Sequence, residues 1–194
     1  IRDSYKCNNL NSVHLGGCLT RIPRYCFNEC DIALIDIPQG ILTIGEYAFD
    51  ENKNLTTVKL PSSIRTISEY AFHGCTSLKY IEFPEGLQTI DDWSFYDTDI
   101  SVVNIPSSVT NIGEAAFQQC RAKQVIIGNG TTEIGAYAFR GARSLEECII
   151  GDKVSVINEE TFYSCTKLKK LKIGSSVTTI ADAAFANCTS LESI

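Results

Sequence analysis

A phenylalanine returns along this chain at nearly constant spacing, and that regularity limits the folds open to it. Successive copies are 22 or 23 residues apart. Eight phenylalanines take part: Phe27, Phe49, Phe72, Phe95, Phe117, Phe139, Phe162 and Phe185. An isoleucine stands five residues before each of them, without exception. Because self-similarity at a period of about 20 to 50 residues marks stacked repeat architectures, the chain is predicted to be an array of about eight similar units.

Each unit also contains a short stretch in which apolar and polar residues alternate, such as 55–61, which reads LTTVKLP. Alternation predicts a strand, and the proline or glycine that follows ends it. After the recurring isoleucine comes a residue typical of helix caps and then an acid, as in Gly45-Glu46. A cap followed by negative charge predicts a short helical turn, closing here at Ala48-Phe49.

The repeat pattern is Leu-x-x-Ile-x-Ile-Pro-x-x-Val-x-x-Ile-Gly-x-x-Ala-Phe-x-x-Cys-x-x, and over residues 7–194 it resembles the BspA-like class of leucine-rich repeats. The predicted fold class is α/β, with one leucine-rich-repeat domain over 1–194. Its expected form is a right-handed curved superhelix, with a parallel β-sheet on the concave face and short helical turns on the opposite side. Residues 1–9 are predicted to be a partial N-terminal repeat or cap, and 186–194 a truncated last repeat, so the chain is expected to be a piece of a longer protein.

The 22-residue units lose a residue just before their strands, as at Thr98-Asp99-Ile100. Ala122, Thr131 and Cys148 stand where the pattern has a leucine, a valine and an isoleucine. We expect these departures to cause local irregularities in an otherwise even coil.

Composition narrows the range of partners. The net charge of -6 and the pI near 5.0 disfavour nucleic acid and anionic membrane surfaces, because both attract basic patches. No run of about 18 apolar residues exists, so direct membrane insertion is not expected, and the first six residues lack the basic start of a signal peptide. A protein or a glycan is easier to accommodate as a partner.

The sequence gives little support for an enzymatic function. The two histidines, His14 and His73, are far in repeat register from any nucleophile-base pair. The acid pairs Asp91-Asp92 and Glu146-Glu147 are adjacent in sequence and do not converge on one substrate atom. The BspA-like resemblance supplies no catalytic residues either. The chain is therefore predicted to be non-enzymatic and to need no cofactor.

Six of the nine cysteines occupy one repeat position, three residues after the phenylalanine or in register with it: Cys7, Cys30, Cys75, Cys120, Cys165 and Cys188. A metal or redox site needs clustered ligands such as Cys-x-x-Cys, and none is present. The preferred interpretation is buried thiols that take the place of a small polar side chain. Two alternatives stay open: disulfides between ladder neighbours such as Cys165 and Cys188, and a Cys18–Cys26 bond in the first unit.

The residues between the apolar positions of each strand must face solvent, because side chains alternate across a strand. These outward positions vary in charge and shape, and several are apolar, which favours a contact surface. Strand propensity alone explains exposed Val, Ile and Tyr equally well. The predicted protein-binding residues are Leu34, Lys59, Tyr80, Glu82, Val102, Asn104, Ile126, Ile149, Lys170 and Lys172.

The resemblance implies a bacterial or protist protein, on the cell surface or secreted, that adheres to host-cell or extracellular-matrix proteins. The predicted function is accordingly a non-enzymatic binding scaffold or adhesin that uses its concave face. The alternative is a structural spacer or self-associating module of a larger surface protein, in which open repeat ends pair with a second copy.

Overall fold

The computed structural model describes residues 7 and 9–194, so the predicted N-terminal segment 1–9 lies mostly outside the described residues. Two short strands alternate in every repeat, and each pairs in parallel with its counterpart in a neighbouring repeat. The odd-numbered strands have two residues and end on the recurring isoleucine: β1 (Arg21–Ile22), β3 (Thr43–Ile44), β5 (Thr66–Ile67), β7 (Thr89–Ile90), β9 (Asn111–Ile112), β11 (Glu133–Ile134), β13 (Val156–Ile157) and β15 (Thr179–Ile180).

The even-numbered strands are the alternating stretches of the sequence. They are β2 (Leu34–Asp36), β4 (Thr57–Lys59), β6 (Tyr80–Ile81), β8 (Val102–Ile105), β10 (Gln124–Ile127), β12 (Glu147–Ile149) and β14 (Lys170–Lys172). We call the surface formed by the even strands the long-strand face and the surface formed by the odd strands the short-strand face. The long-strand face corresponds to the sheet predicted to be concave.

Neither face is one continuous sheet. On the long-strand face, β2-β4-β6 and β8-β10-β12-β14 form separate sheets. On the short-strand face, the odd-numbered strands β1-β3-β5-β7-β9-β11 form one sheet and β13-β15 form another. At this second interruption the side-chain amide of Asn158 donates to the Ile134 carbonyl at 2.7 Å. The molecule is thus a β-solenoid with an interruption on each face at a different repeat.

The predictions of an α/β class and of short helical turns are wrong, because no helix occurs among the described residues. The segment around each phenylalanine is a series of turns with two positive φ angles, as at Tyr47 (φ 54) and Glu51 (φ 58) around Phe49. An α-helix requires φ near -63° at every residue. It follows that no helix of this part of the chain has the length and apolarity to cross a membrane.

These turns direct backbone donors at the next repeat. The N–H groups of Tyr47, Phe49 and Glu51 donate to carbonyls of the following repeat at 3.0, 2.8 and 2.8 Å. In a helix the same donors would be used within the segment. Every second N–H of this segment points towards the neighbouring repeat, and the left-handed residues Tyr47 and Glu51 mark the first and last of these donors.

The core is a column of phenylalanine rings that runs through the array. Neighbouring rings stack at centroid separations from 5.2 to 5.6 Å, and Phe49 and Phe72 are parallel within 1°. Phe49, Phe72, Phe95 and Phe117 are fully buried. Isoleucines, leucines and alanines of the repeat surround this column in one hydrophobic cluster that extends from Leu15 to Ala184.

The cysteine position has a structural role. Cys75 and Cys165 donate their thiols to the phenylalanine carbonyl of the preceding repeat at 3.1 and 3.3 Å. Asn52 makes the same bond with its amide nitrogen. The interpretation of buried thiols is confirmed for Cys30, Cys75, Cys120 and Cys165, whereas Cys7 and Cys188 are half-buried. No disulfide joins any of the nine cysteines, all of which belong to the described residues.

The positive φ angles can be tested by substitution at two positions. Ala183 (φ 53) is exposed and Gly141 has φ 71. In a helix Ala183→Gly would cost about 1 kcal/mol, whereas in the left-handed region glycine is the favoured residue. We expect Ala183→Gly to leave the free energy of unfolding unchanged or slightly raised, and Gly141→Ala to lower it by about 1 kcal/mol. Chemical denaturation measures both, and a clear loss in Ala183→Gly would contradict this backbone.

Cys148 gives a pH-dependent prediction. It is fully buried in β12, and burial raises the pKa of its thiol far above the ordinary value near 9. The unfolded chain then loses this proton before the folded protein does, so stability falls as pH rises above about 9. Cys148→Val, which restores the residue type of the pattern, is expected to reduce the loss of unfolding free energy between pH 8 and 10 by about 1.4 kcal/mol. Urea unfolding under reducing conditions tests this; equal alkaline losses in parent and variant would refute it.

Candidate protein-binding face

The structure places the predicted outward positions on the long-strand face. Tyr80, Leu34 and Val102 are 53%, 49% and 42% exposed, and the residues beside them in each strand are buried. Ile126 and Ile149 also point outward but are half-buried between their neighbours. This face therefore displays apolar side chains on several adjacent strands.

The ten predicted residues fall into two groups, separated by the interruption of the sheet. Leu34, Lys59, Tyr80 and Glu82 belong to the first three repeats of the face. The strand register aligns Val102 and Asn104 of β8 with β10, where Asn104 is opposite Ile126. On the following strands Ile126 is opposite Ile149, and Ile149 is opposite Lys172. In the neighbouring row Glu147 is opposite Lys170.

Between β6 and β8 the backbone ladder is open. At this position in other repeats an N–H donates to the preceding repeat, as from Lys79 to Thr56 at 3.1 Å and from Lys123 to Ser101 at 2.9 Å. No backbone hydrogen bond joins 79–84 to 99–105 in the described chain. The Ser101 N–H, whose expected acceptor is the Lys79 carbonyl, has no backbone acceptor there.

Two features of the sequence coincide at this opening. The loop before β6 has one residue more than the loop before β8, and this is the one junction on the described face where a longer loop precedes a shorter one. Phe83 also takes a position that holds Ile37, Leu60 or Ile105 in other repeats. Its ring packs edge-on against Phe95 at 5.4 Å, and so fills space beneath the opening.

The opening forms a cleft of about 430 Å³ on the long-strand face. Tyr80, Glu82, Val102 and Asn104, all predicted binding residues, line it. Leu60, Ile81, Phe83 and Pro84 supply most of its apolar wall. Lys79 and Ser101 complete the lining. The cleft therefore combines apolar surface with unpaired backbone groups, and a pocket of this kind can hold a side chain of a bound protein.

The charges around the cleft are arranged unevenly. The Tyr80 hydroxyl donates to the Glu82 carboxylate, and this hydrogen bond raises the pKa of Tyr80. Glu82 has no ion-pair partner among the described residues, whereas Lys59 lies 3.8 Å from Asp36. Lys170 and Lys172 are exposed on β14. The face thus offers the unpaired carboxylate of Glu82 at the cleft, the ammonium group of Lys79 paired with Asp99 at its edge, and further ammonium groups on β14.

Sequence reasoning missed a polar cluster on the turn segments. His73 Nδ1 is 2.7 Å from an oxygen of Asp50 and 4.0 Å from one of Glu51. The other oxygen of Asp50 accepts a hydrogen bond from Asn28 at 2.8 Å, and Glu51 pairs with Lys53 at 2.9 Å. Because each group has a partner within the protein, we interpret the cluster as a structural network between repeats. The sequence did contain a signal for this cluster, because Asn28, Asp50 and His73 occupy the same position in three successive repeats.

Comparisons with known proteins agree with the repeat geometry. A family model described as the BspA type leucine rich repeat region matches residues 3–123 and 94–194, in six copies. The chain therefore belongs to the BspA-type leucine-rich-repeat family. Comparison with curated proteins finds no match.

Solved structures of bacterial proteins share the fold. A leucine-rich repeat protein from Bacteroides ovatus is 27% identical, with a TM-score of 0.71 over 98% of this chain and 61% of its own. This chain thus spans less than two thirds of that relative. A Treponema pallidum leucine-rich repeat protein is 28% identical, with a TM-score of 0.79 over 89% of this chain and 82% of its own. A leucine-rich cell surface protein from Faecalibacterium prausnitzii, 23% identical over 87% of this chain and 64% of its own, has a TM-score of 0.57 and shows the fold alone.

Amide hydrogen exchange tests the opening directly. The Ser101 N–H lacks the backbone acceptor that its counterpart Lys123 has at 2.9 Å. Because exchange requires the hydrogen bond to break, we expect the Ser101 amide to exchange at least about tenfold faster than that of Lys123. NMR-detected exchange resolves the two residues. Equal protection would mean that the ladder is closed in solution.

Proposed function

We propose that this domain is a non-enzymatic scaffold, on the cell surface or secreted, that binds a protein through its long-strand face. The observation that carries the proposal is the cleft between β6 and β8, with the exposed Tyr80 and Val102 on either side. Binding energy at protein interfaces concentrates in a few aromatic residues beside well-packed pockets. Tyr80 meets that description.

Strand propensity does not account for the cleft. It explains why valine and tyrosine occupy exposed strand positions, but it gives no reason for an open ladder beneath them. Natural sheets usually satisfy their backbone donors and acceptors. An extended segment of a partner that reaches the cleft can supply acceptors to Ser101 and apolar contact to Val102.

Charged residues of the face would select among partners. Glu82 lies at the cleft without an ion-pair partner among the described residues, and Asn104 is exposed on the opposite wall. Lys59, Lys170 and Lys172 are at the periphery, where charges act mainly on the rate of encounter and on specificity. A host-cell or extracellular-matrix protein is the partner that we expect for a member of this repeat family.

Two leucines provide a matched experiment. Leu34 is on the long-strand face and Leu42 is off it, before β3, and they are 49% and 45% exposed. We expect binding to immobilised extracellular-matrix proteins to weaken about 30-fold with Tyr80→Ala and severalfold with Leu34→Ala, and to be unaffected by Leu42→Ala. Surface plasmon resonance with a panel of purified matrix proteins measures this. Equal effects of the two leucine variants would move the site away from this face.

The second candidate, a spacer or self-associating module, makes a different prediction. If the chain forms concentration-dependent oligomers in analytical ultracentrifugation and binds no protein of the panel, that reading replaces the first.

A further inference from the structure

A second cavity, of about 480 Å³, lies away from the long-strand face. Three successive repeats line it with residues that follow their phenylalanine and lead into the next strand, and Asp97 of the repeat before them completes the lining. Its volume is within the range of small-molecule sites. The walls are mainly polar, which distinguishes it from the cleft between β6 and β8.

Three arginines line this cavity: Arg121, Arg140 and Arg143. Arg121 and Arg143 each stand four residues after the phenylalanine of adjacent repeats, and both line the cavity. The Arg140 guanidinium lies 5.2 Å from the ring centre of Tyr163, which helps to fix its plane. In a chain with a net charge of -6, such a concentration of arginine needs an explanation.

Ion pairs within the protein account for only some of these arginines. Arg140 pairs with Glu160 at 2.6 Å, and Arg121 is 3.8 Å from Asp99. Arg143 has no ion-pair partner among the described residues. A guanidinium offers a planar fork of donors that fits the two oxygens of a carboxylate or a sulfate. Arg143 is therefore available for an anionic group of a ligand.

An amide on the wall of the cavity points the same way. Gln118 is only 6% exposed and lines the cavity, and its side-chain amide makes no hydrogen bond to the described part of the chain. The polar atoms of this amide stay accessible from the cavity, where a bound ligand can reach them. A ligand with groups that both donate and accept would satisfy this amide.

We propose that this cavity binds an acidic saccharide, with Arg121 and Arg143 holding a carboxylate or sulfate group. Sugar hydroxyls donate and accept, as Gln118, Gln119 and Tyr163 require. Asp97, on the same wall, accepts from a hydroxyl and disfavours a ligand made only of anionic groups. The site is independent of the proposed protein-binding face, so either can fail without the other.

Calorimetry with defined sugars tests the proposal. We expect a sulfated heparin-type oligosaccharide or an unsulfated uronate oligosaccharide to bind at 150 mM salt, and the double variant Arg121→Gln/Arg143→Gln to weaken that binding at least tenfold. Arg143→Lys keeps the charge and loses the fork, so it should also weaken binding severalfold. Lys53→Gln is the matched control, because Lys53 occupies the same repeat position in a distant repeat.

Several outcomes would overturn the proposal. Undiminished binding in the double variant would place the sugar elsewhere. An equal loss with Lys53→Gln would indicate diffuse charge attraction. Inorganic sulfate or an acidic peptide binding as tightly as the oligosaccharides would show that the sugar frame contributes nothing. Absence of binding by either oligosaccharide would exclude the assignment. Thermal melting of each variant verifies that the fold is retained.

Discussion

Each repeat is held to the next by three backbone hydrogen bonds around a stacked phenylalanine. In the third repeat they run from Tyr70, Phe72 and Gly74 to the following repeat at 3.1, 2.8 and 2.9 Å. The rings beneath them stack at nearly constant separation. Because these bonds and rings fix the spacing of the repeats on one side, variations in unit length must be taken up on the other side.

That constraint explains where the long-strand face opens. At the junction of the fourth and fifth repeats, Phe95 and Phe117 remain stacked at 5.2 Å and β7 still pairs with β9. The difference in loop length is therefore absorbed entirely between β6 and β8. The candidate protein-binding cleft is in this sense a product of the regularity of the phenylalanine column. The arginine cavity has another origin, since it depends on which side chains occupy equivalent positions of adjacent repeats.

Much of the architecture could be predicted from the sequence, and the failures have physical reasons. The register of Ile67 and Phe72 and the alternation in β4 follow from periodicity, and the polar role of the Cys75 position follows from the resemblance to leucine-rich repeats. The helical turns were wrong because Tyr70 and Trp93 adopt positive φ without being glycine, which no local pattern signals. The cleft requires two neighbouring loops to be compared in three dimensions. The pairing of Arg140 with Tyr163 depends likewise on stacking across repeats.

The hydrogen bonds between repeats also have a direction. Around the phenylalanines the backbone of each repeat only donates forward, as from Phe49 to Ala71, whereas the parallel even strands donate both ways, backward from Thr56 to Ala33 and forward from Ile37 to Lys59. The two ends of any such array are therefore complementary to one another and not to themselves. Copies that associate through their ends meet head to tail, and a head-to-tail contact that does not close on itself leads to a fibre instead of a symmetric dimer.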